Sequence, residues 1–198
     1  MRQAAERREV AQGISNCRQI IVAMRIYSAD GRGTYVDDHR MGEDLSKPKT
    51  ANEALRVLFQ QGISNNEAIF GCPHSPFVPD GNIGVAPDFK DALTPGENHW
   101  ILTIGLSDSN SGSTPLVYEN AAVARWNPKW NADAKLKPVP GRTWTKGIII
   151  GMNDSSVALQ KLATPEGSEV PLKELGKGEN LFTQHEDFDV LDVARKAD

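Results

Sequence analysis

Apolar side chains recur at spacings of four and three residues near the start of the chain, at Val10, Ile14, Cys17, Ile21 and Met24. Because one face of a helix has this spacing, the pattern predicts a long amphipathic helix over residues 4–28, with those side chains as its packing face. The opposite face should be polar and carry Arg7, Arg8, Gln12, Ser15, Arg18, Gln19 and Arg25. The turn-forming residues 30–33 should end the helix.

A second, shorter helix is predicted over residues 51–61. Thr50 and Glu53 have the spacing of a capping box, and Gly62 is placed to end the helix. Its buried stripe should consist of Ala54, Leu55, Leu58 and Phe59. Residues 71–95 contain five prolines and are expected to form an irregular loop, because proline lacks the backbone donor that regular structure needs.

Four short apolar segments bounded by turn-forming residues are predicted strands, over 99–106, 115–119, 147–152 and 157–162. The polar residues 153–156 suit a hairpin turn, so the sheet should be small and antiparallel. A long helix packed on such a sheet is an α+β fold. We expect a single domain with a helix (1–30), a short helix and Pro-rich loop (31–97), the sheet (98–162) with a Trp-containing insertion (121–145), and an acidic C-terminal segment (163–198).

Composition limits the possible functions. The 198 residues are 39% apolar, which is enough for the core of one domain. Lys and Arg total 22 against 26 for Asp and Glu, which gives a net charge of -4. The chain therefore lacks the excess of basic residues that is typical of nucleic-acid binding. No window of this sequence has the length of apolar residues that a membrane span needs. Nucleic acid is therefore not an expected partner.

Several stretches resemble one known family. Residues 15–20 read S-N-C-R-Q-I and residues 23–30 read A-M-R-I-Y-S-A-D. They resemble S-N-x-R-Q-I-x-x-A-x-x-x-Y-A-x-D, which follows the membrane helix in pseudopilin-like proteins with a prepilin-type cleavage and methylation segment. Residues 52–55 and 69–73 are similar to the family's short helix and its F-x-C-P element. Residues 147–162 are similar to its strand, turn and strand, although the turn differs from the family's Asp-Gly-His-Val. The peptidase recognition segment F-T-L-x-E is absent.

The resemblance implies a pilin-like fold and a structural, non-catalytic subunit of a type II secretion or type IV pilus-like assembly. Residues 4–28 would be the second half of the pilin helix and would contact other pilin-like subunits. Helical sequence continues back to Met1 without a capping residue, so we expect the native chain to extend upstream by roughly 20 or more apolar residues anchored in the inner membrane. The domain would lie in the periplasm or in an extracytoplasmic filament, and no cofactor is expected.

The two cysteines, Cys17 and Cys72, are predicted to form a disulfide. Cys17 belongs to the packing face of the long helix, and the segment containing Cys72 should cross that face after the second helix. The location outside the cytoplasm that the resemblance implies would supply an oxidising environment. Two separate buried thiols are the alternative.

Three tryptophans in the insertion, Trp126, Trp130 and Trp144, support an alternative function. Exposed indole rings stack on sugars, so they would suit a secreted carbohydrate-binding or cell-surface binding domain. Alternatively, the rings anchor the insertion to the domain. We expect this second arrangement, because exposed rings would leave a large apolar patch on the surface.

Cys72-Pro73-His74 suggests two other hypotheses, a zinc site or a hydrolase that uses Cys72 or His74. Zinc needs three or four ligands, and the remaining histidines His39, His99 and His185 are not paired at a motif spacing. A nucleophile needs a base and an orienting carboxylate, which the sequence does not place. Neither hypothesis is favoured over a bridged or buried cysteine.

Two oxygen-rich regions offer possible calcium ligands: Asp30, Asp37, Asp38 and Glu43, and separately Asp108, Asn110, Asn153 and Asp154. Neither has the ligand spacing of an EF-hand loop, so turn and capping roles are favoured. Gly31, Gly33 and Gly141 are turn residues, and no glycine-rich phosphate-binding motif is present.

Overall fold

The computed structural model describes residues 2–31, 33–37 and 47–197. It contains two α-helices, α1 (Arg2–Asp30) and α2 (Ala51–Gln60), and two 3₁₀ helices, Glu67–Phe70 and Ala132–Ala134. Five strands follow one another as β1 (Trp100–Thr103), β2 (Pro115–Glu119), β3 (Ile148–Met152), β4 (Val157–Gln160) and β5 (Val190–Leu191). They form one antiparallel sheet in the order β4-β3-β2-β1-β5. The predicted α+β class is confirmed.

Helix α1 lies across β2, β3 and β4. Of its predicted packing face, Cys17, Ile21 and Met24 are fully buried, and Val10 and Ile14 are half-buried against the same core. The helix is fixed at its end by Ser28, whose hydroxyl contacts the Arg25 carbonyl and the Asp108 carboxylate. The periodicity of the sequence therefore identified the buried face correctly.

Two glycines allow α1 to approach the sheet closely. A Cβ atom on Gly151 of β3 would lie 2.8 Å from Cys17 Sγ, and one on Gly13 of α1 would lie 2.6 Å from Ile149 Cδ1. No side chain fits at either distance without displacing its neighbour. Gly13, which looks like a weak point of the helix in the sequence, is thus a packing residue.

The opposite face of α1 is not purely polar, contrary to the prediction. The side chain of Arg25 is half-buried and donates to the Asn153 carbonyl at 2.7 Å. Two apolar side chains on this face, Val22 and Ile26, are 45% and 51% exposed. With Ala23, Ile63 and Ile69 they line a surface groove of about 370 Å³. The helix thus has a buried apolar face and a second, partly apolar face on the surface.

Helix α2 begins with the predicted cap. The Thr50 hydroxyl accepts the Glu53 backbone N–H at 3.2 Å, and the Glu53 carboxylate accepts the Lys49 N–H at 2.7 Å. Gly62, at a φ of 68°, follows the end of the helix as predicted. The buried Asn52 connects α2 to both the Pro-rich loop and the C-terminal segment, since it donates to the Leu93 carbonyl and accepts from Ala194 N.

The sheet has a core on each side. One core lies between the helices and the sheet, and the other is formed by Ile101, Tyr118, Trp130, Ile150, Phe182 and their neighbours. The second core is covered by the insertion and the C-terminal segment. That segment also supplies β5, a strand that the sequence did not predict. Among the described residues, no helix combines the length and apolar character that a membrane crossing requires.

Candidate functional site: a buried charged cluster

A fully buried carboxylate stands at the end of β2. Glu119 has 0% exposure, and its Oε2 atom accepts the Ile149 backbone N–H at 2.7 Å and Trp144 Nε1 at 3.0 Å. Its Oε1 atom lies 3.0 Å from both His99 Nε2 and Arg142 Nη1. Its backbone carbonyl accepts Trp130 Nε1 at 3.3 Å. Glu119 therefore organises two of the three insertion tryptophans as well as the neighbouring strand.

Arg142 supplies the compensating positive charge and is also buried, with 1% exposure. Its Nη2 atom donates to the Pro73 carbonyl at 2.6 Å, and its Nε atom donates to the His74 carbonyl at 3.3 Å. The guanidinium carbon lies 4.3 Å from the centre of the Trp144 ring, a cation–π contact. Arg142 thus links the insertion, the Pro-rich loop and β2.

His99 is held as a neutral ring. Its Nδ1 atom lies 2.7 Å from Ser75 Oγ and accepts Asn120 Nδ2 at 2.9 Å, which leaves the proton on Nε2 to be donated to Glu119. Burial lowers the pKa of His99, and this effect exceeds the raising effect of the Glu119 carboxylate. The ring is therefore a hydrogen-bond donor and not a second cation.

Glu119 is held as the anion. Burial acts to raise its pKa, but Arg142, His99 and the Ile149 N–H together hold the pKa below its usual value. The cluster thus contains one negative and one positive charge, both desolvated and both partnered. Such a pair fixes one arrangement of the chain, since either charge left alone in this place would be costly.

The structure contradicts the predicted disulfide, because Cys17 and Cys72 are both free thiols. Each sulfur has other partners. Cys17 Sγ donates to the Val117 carbonyl at 3.4 Å, while Cys72 Sγ lies 3.7 Å from Glu119 Oε1 and accepts Arg142 Nη2 at 3.4 Å. Burial, followed by the Glu119 charge, raises the pKa of both thiols well above the usual range.

This geometry does not favour the nucleophile hypothesis. A cysteine nucleophile reacts as the thiolate, and the raised pKa of Cys72 keeps it protonated. The proton of His99 Nε2 is directed to Glu119 and not to the thiol. His74 lies outside the buried cluster, where its ring contacts the Glu9 carboxylate at 2.9 Å and packs perpendicular to the Trp144 ring.

The cluster also does not suit a metal ion. Ligand atoms of Cys72, His99 and Glu119 lie within 4.8 Å of one another, which is close enough for a shared cation. However, Arg142 contacts both Cys72 and Glu119 and already provides the positive charge there. A divalent ion would be repelled by this fixed guanidinium.

The oxygen-rich residues that could bind calcium have structural roles. Asn153 Nδ2 donates to the Ser107 and Asn110 carbonyls, and Asp154 Oδ1 accepts the Ser156 N–H at 2.9 Å. Asp37 accepts the Gly105 N–H. His39, Asp38 and Glu43 lie outside the described residues.

A further acidic group consists of Glu67, Asp80 and Glu97. Its carboxylates accept hydrogen bonds from backbone N–H groups of the surrounding loops.

The tryptophans do not form an exposed platform, and the prediction that the insertion is packed is confirmed. Trp130 is 0% and Trp144 1% exposed, and they belong to cores on opposite sides of the sheet. Trp126 is half-buried between Phe182 and Phe188, with ring centres 5.1 and 5.2 Å away. No sugar ring could stack on all three indoles.

We expect the cluster to make folding sensitive to acid. The pKa of His99 is lowered in the folded state, so the unfolded chain binds a proton that the folded chain does not, and stability falls as the pH drops through the unfolded value near 6.5. The lowered pKa of Glu119 acts in the same direction at lower pH. Urea unfolding between about pH 7 and about pH 5 should therefore show a declining free energy.

The control for this prediction is a pair of histidine variants. His99→Gln should flatten the decline between about pH 7 and about pH 5, whereas His185→Gln lies outside the cluster, leaves the buried ring in place and serves as the control. An equal slope in the His99 variant and the parent would contradict the assignment of a buried neutral ring.

No motif in the sequence marks Glu119, Arg142 or Asn120. One signal was present, since Glu119 is the only charged residue of the strand Pro115–Glu119, all of which is buried. A carboxylate in such a segment requires a partner.

Comparison with protein-family models, with curated proteins and with solved structures finds no match for this chain. Its function is therefore inferred from its own residues.

Proposed function

We propose that the chain is a pilin-like structural subunit, without catalytic activity, of a type II secretion or type IV pilus-like assembly. The observation that carries this proposal is the arrangement of α1. One face of this 29-residue helix is buried on an antiparallel sheet, while the other exposes Val22 and Ile26. Exposed apolar side chains that adjoin a groove suit contact with another subunit.

The location follows from the same proposal. In a pilin-like subunit, an apolar segment preceding α1 anchors the chain in the inner membrane, and the domain lies in the periplasm or in an extracytoplasmic filament. The partners are other pilin-like subunits, which meet the exposed face of α1. The buried cluster around Glu119 has a structural role in this account, since it fixes the insertion and the Pro-rich loop against the sheet.

The coding sequence upstream of Arg2 tests the proposal. We expect it to encode roughly 20 or more mostly apolar residues, the length that crosses a bilayer as a helix, preceded by a prepilin-type cleavage segment. An ordinary cleaved signal peptide, or no apolar segment at all, would contradict the proposal.

No observation favours the carbohydrate-binding alternative, because two of its three tryptophans are buried.

A further inference from the structure

A surface cleft of about 460 Å³ lies beside the buried cluster. Its walls come from the insertion, from the two residues that precede β3 and from the segment that follows β4. Three lysines, Lys135, Lys146 and Lys161, line it together with Thr143 and Trp144. The cleft is separate from the Glu119 carboxylate, which is fully buried.

The cleft carries positive charge. Within residues 2–31, 33–37 and 47–197, none of the three lysines forms an ion pair, and no carboxylate lines the cleft. Two carboxylates lie near the cleft, accept hydrogen bonds from neutral groups, and offset its positive charge in part. Glu6 accepts the Thr145 N–H and hydroxyl, both at 2.9 Å, and Asp133 accepts the Gly167 N–H at 2.9 Å. A concentration of positive charge in a protein of net charge -4 requires an explanation.

Thr143 provides a second, independent observation. It is 1% exposed, and its Oγ1 atom has no hydrogen-bond partner. A buried hydroxyl without a partner is unfavourable, so such groups are uncommon in folded proteins. Thr143 lines the cleft but its hydroxyl is closed to solvent, so a rotation of the side chain is needed before an acceptor oxygen of a ligand held there satisfies it.

We propose that this lysine cleft binds a phosphate or sulfate group. Lysine binds phosphate as a point charge, whereas arginine provides the planar fork that suits a carboxylate, and no arginine lines the cleft. Three ammonium groups match a doubly charged oxyanion better than a singly charged carboxylate. The binding groups are side chains and not a glycine-rich loop, which is why no sequence motif marks the site. The inference does not depend on the proposed function.

Isothermal titration calorimetry of the chain with inorganic phosphate, and separately with inorganic sulfate, tests the inference. We expect saturable binding that weakens as the ionic strength rises. Lys146→Ala and Thr143→Val should each weaken binding by about tenfold, since each removes a donor to a charged group. Thr143→Val should leave the stability of the chain unchanged or raised, because it removes an unpaired buried hydroxyl. The matched control, Lys137→Ala, alters an exposed lysine of the same insertion that does not line the cleft.

The outcomes are distinct. Absence of saturable binding to both anions, or equal weakening by Lys137→Ala, would overturn the inference.

Sedimentation with vesicles tests whether the bound phosphate is free or esterified to a lipid. Binding to vesicles that contain phosphatidic acid, a phosphomonoester, but not to phosphatidylcholine vesicles, displaced by inorganic phosphate and lost in Lys146→Ala, would assign an esterified phosphate. Binding of the inorganic anion without vesicle binding would assign a free one.

Discussion

Replacement of Glu119 by Gln should destabilise the protein by about 3–5 kcal/mol, the largest effect on stability that we expect from a single substitution. The variant keeps the shape of the side chain but leaves the Arg142 guanidinium without its anion, in a place where Arg142 has 1% exposure. It also weakens the acceptor for Ile149 N and Trp144 Nε1. Urea unfolding followed by circular dichroism measures the loss.

Two further variants make this prediction specific. Arg195→Ala removes the partner of Asp192 in an exposed ion pair, with side chains 48% and 41% exposed, and should cost at most about 1 kcal/mol. The double variant Glu119→Gln with Arg142→Met should recover part of the loss, because it removes the unpaired charge. A loss below about 1 kcal/mol for Glu119→Gln alone would contradict the description of a desolvated pair.

The elements with a regular pattern could be predicted from the sequence. The spacing of apolar residues located α1 and its buried face, and the capping box located the start of α2. Four of the five strands followed from short apolar segments between turns. In each case the signal is local, because a few neighbouring residues determine the backbone conformation.

The cluster could not be predicted in this way, since its members are far apart in the chain. The pairing of β1 with β2 brings His99 to Glu119, the Pro-rich loop brings Cys72, and the insertion brings Arg142. The strand β5 was missed for the same reason, as its two residues gain a strand conformation from pairing with β1. The cysteines show the opposite error, because the expected crossing of the Cys72 segment over the Cys17 face of α1 suggested a bond, whereas each sulfur has a separate partner in the structure.

The second large effect concerns assembly. Ile26→Asp should weaken contact between subunits by about 100-fold or more, because it would bury an unpaired carboxylate in the proposed interface. The fold should be unaffected, within about 0.5 kcal/mol, since the Ile26 side chain is 51% exposed. Val85→Asp is the matched control, because Val85 is 78% exposed and lies outside α1. Recovery of the assembly from cells that produce each full-length variant measures the effect.

Cross-linking of single cysteine substitutions in the full-length protein, in its native cells, tests the proposed function most directly. Ile26→Cys places a reactive thiol on the exposed face of α1, and Val85→Cys places one on an exposed loop elsewhere. The account predicts that a bismaleimide links Ile26→Cys to another copy or to another pilin-like subunit, and that it does not link Val85→Cys. No cross-link at Ile26→Cys, or equal cross-linking at both positions, would contradict it.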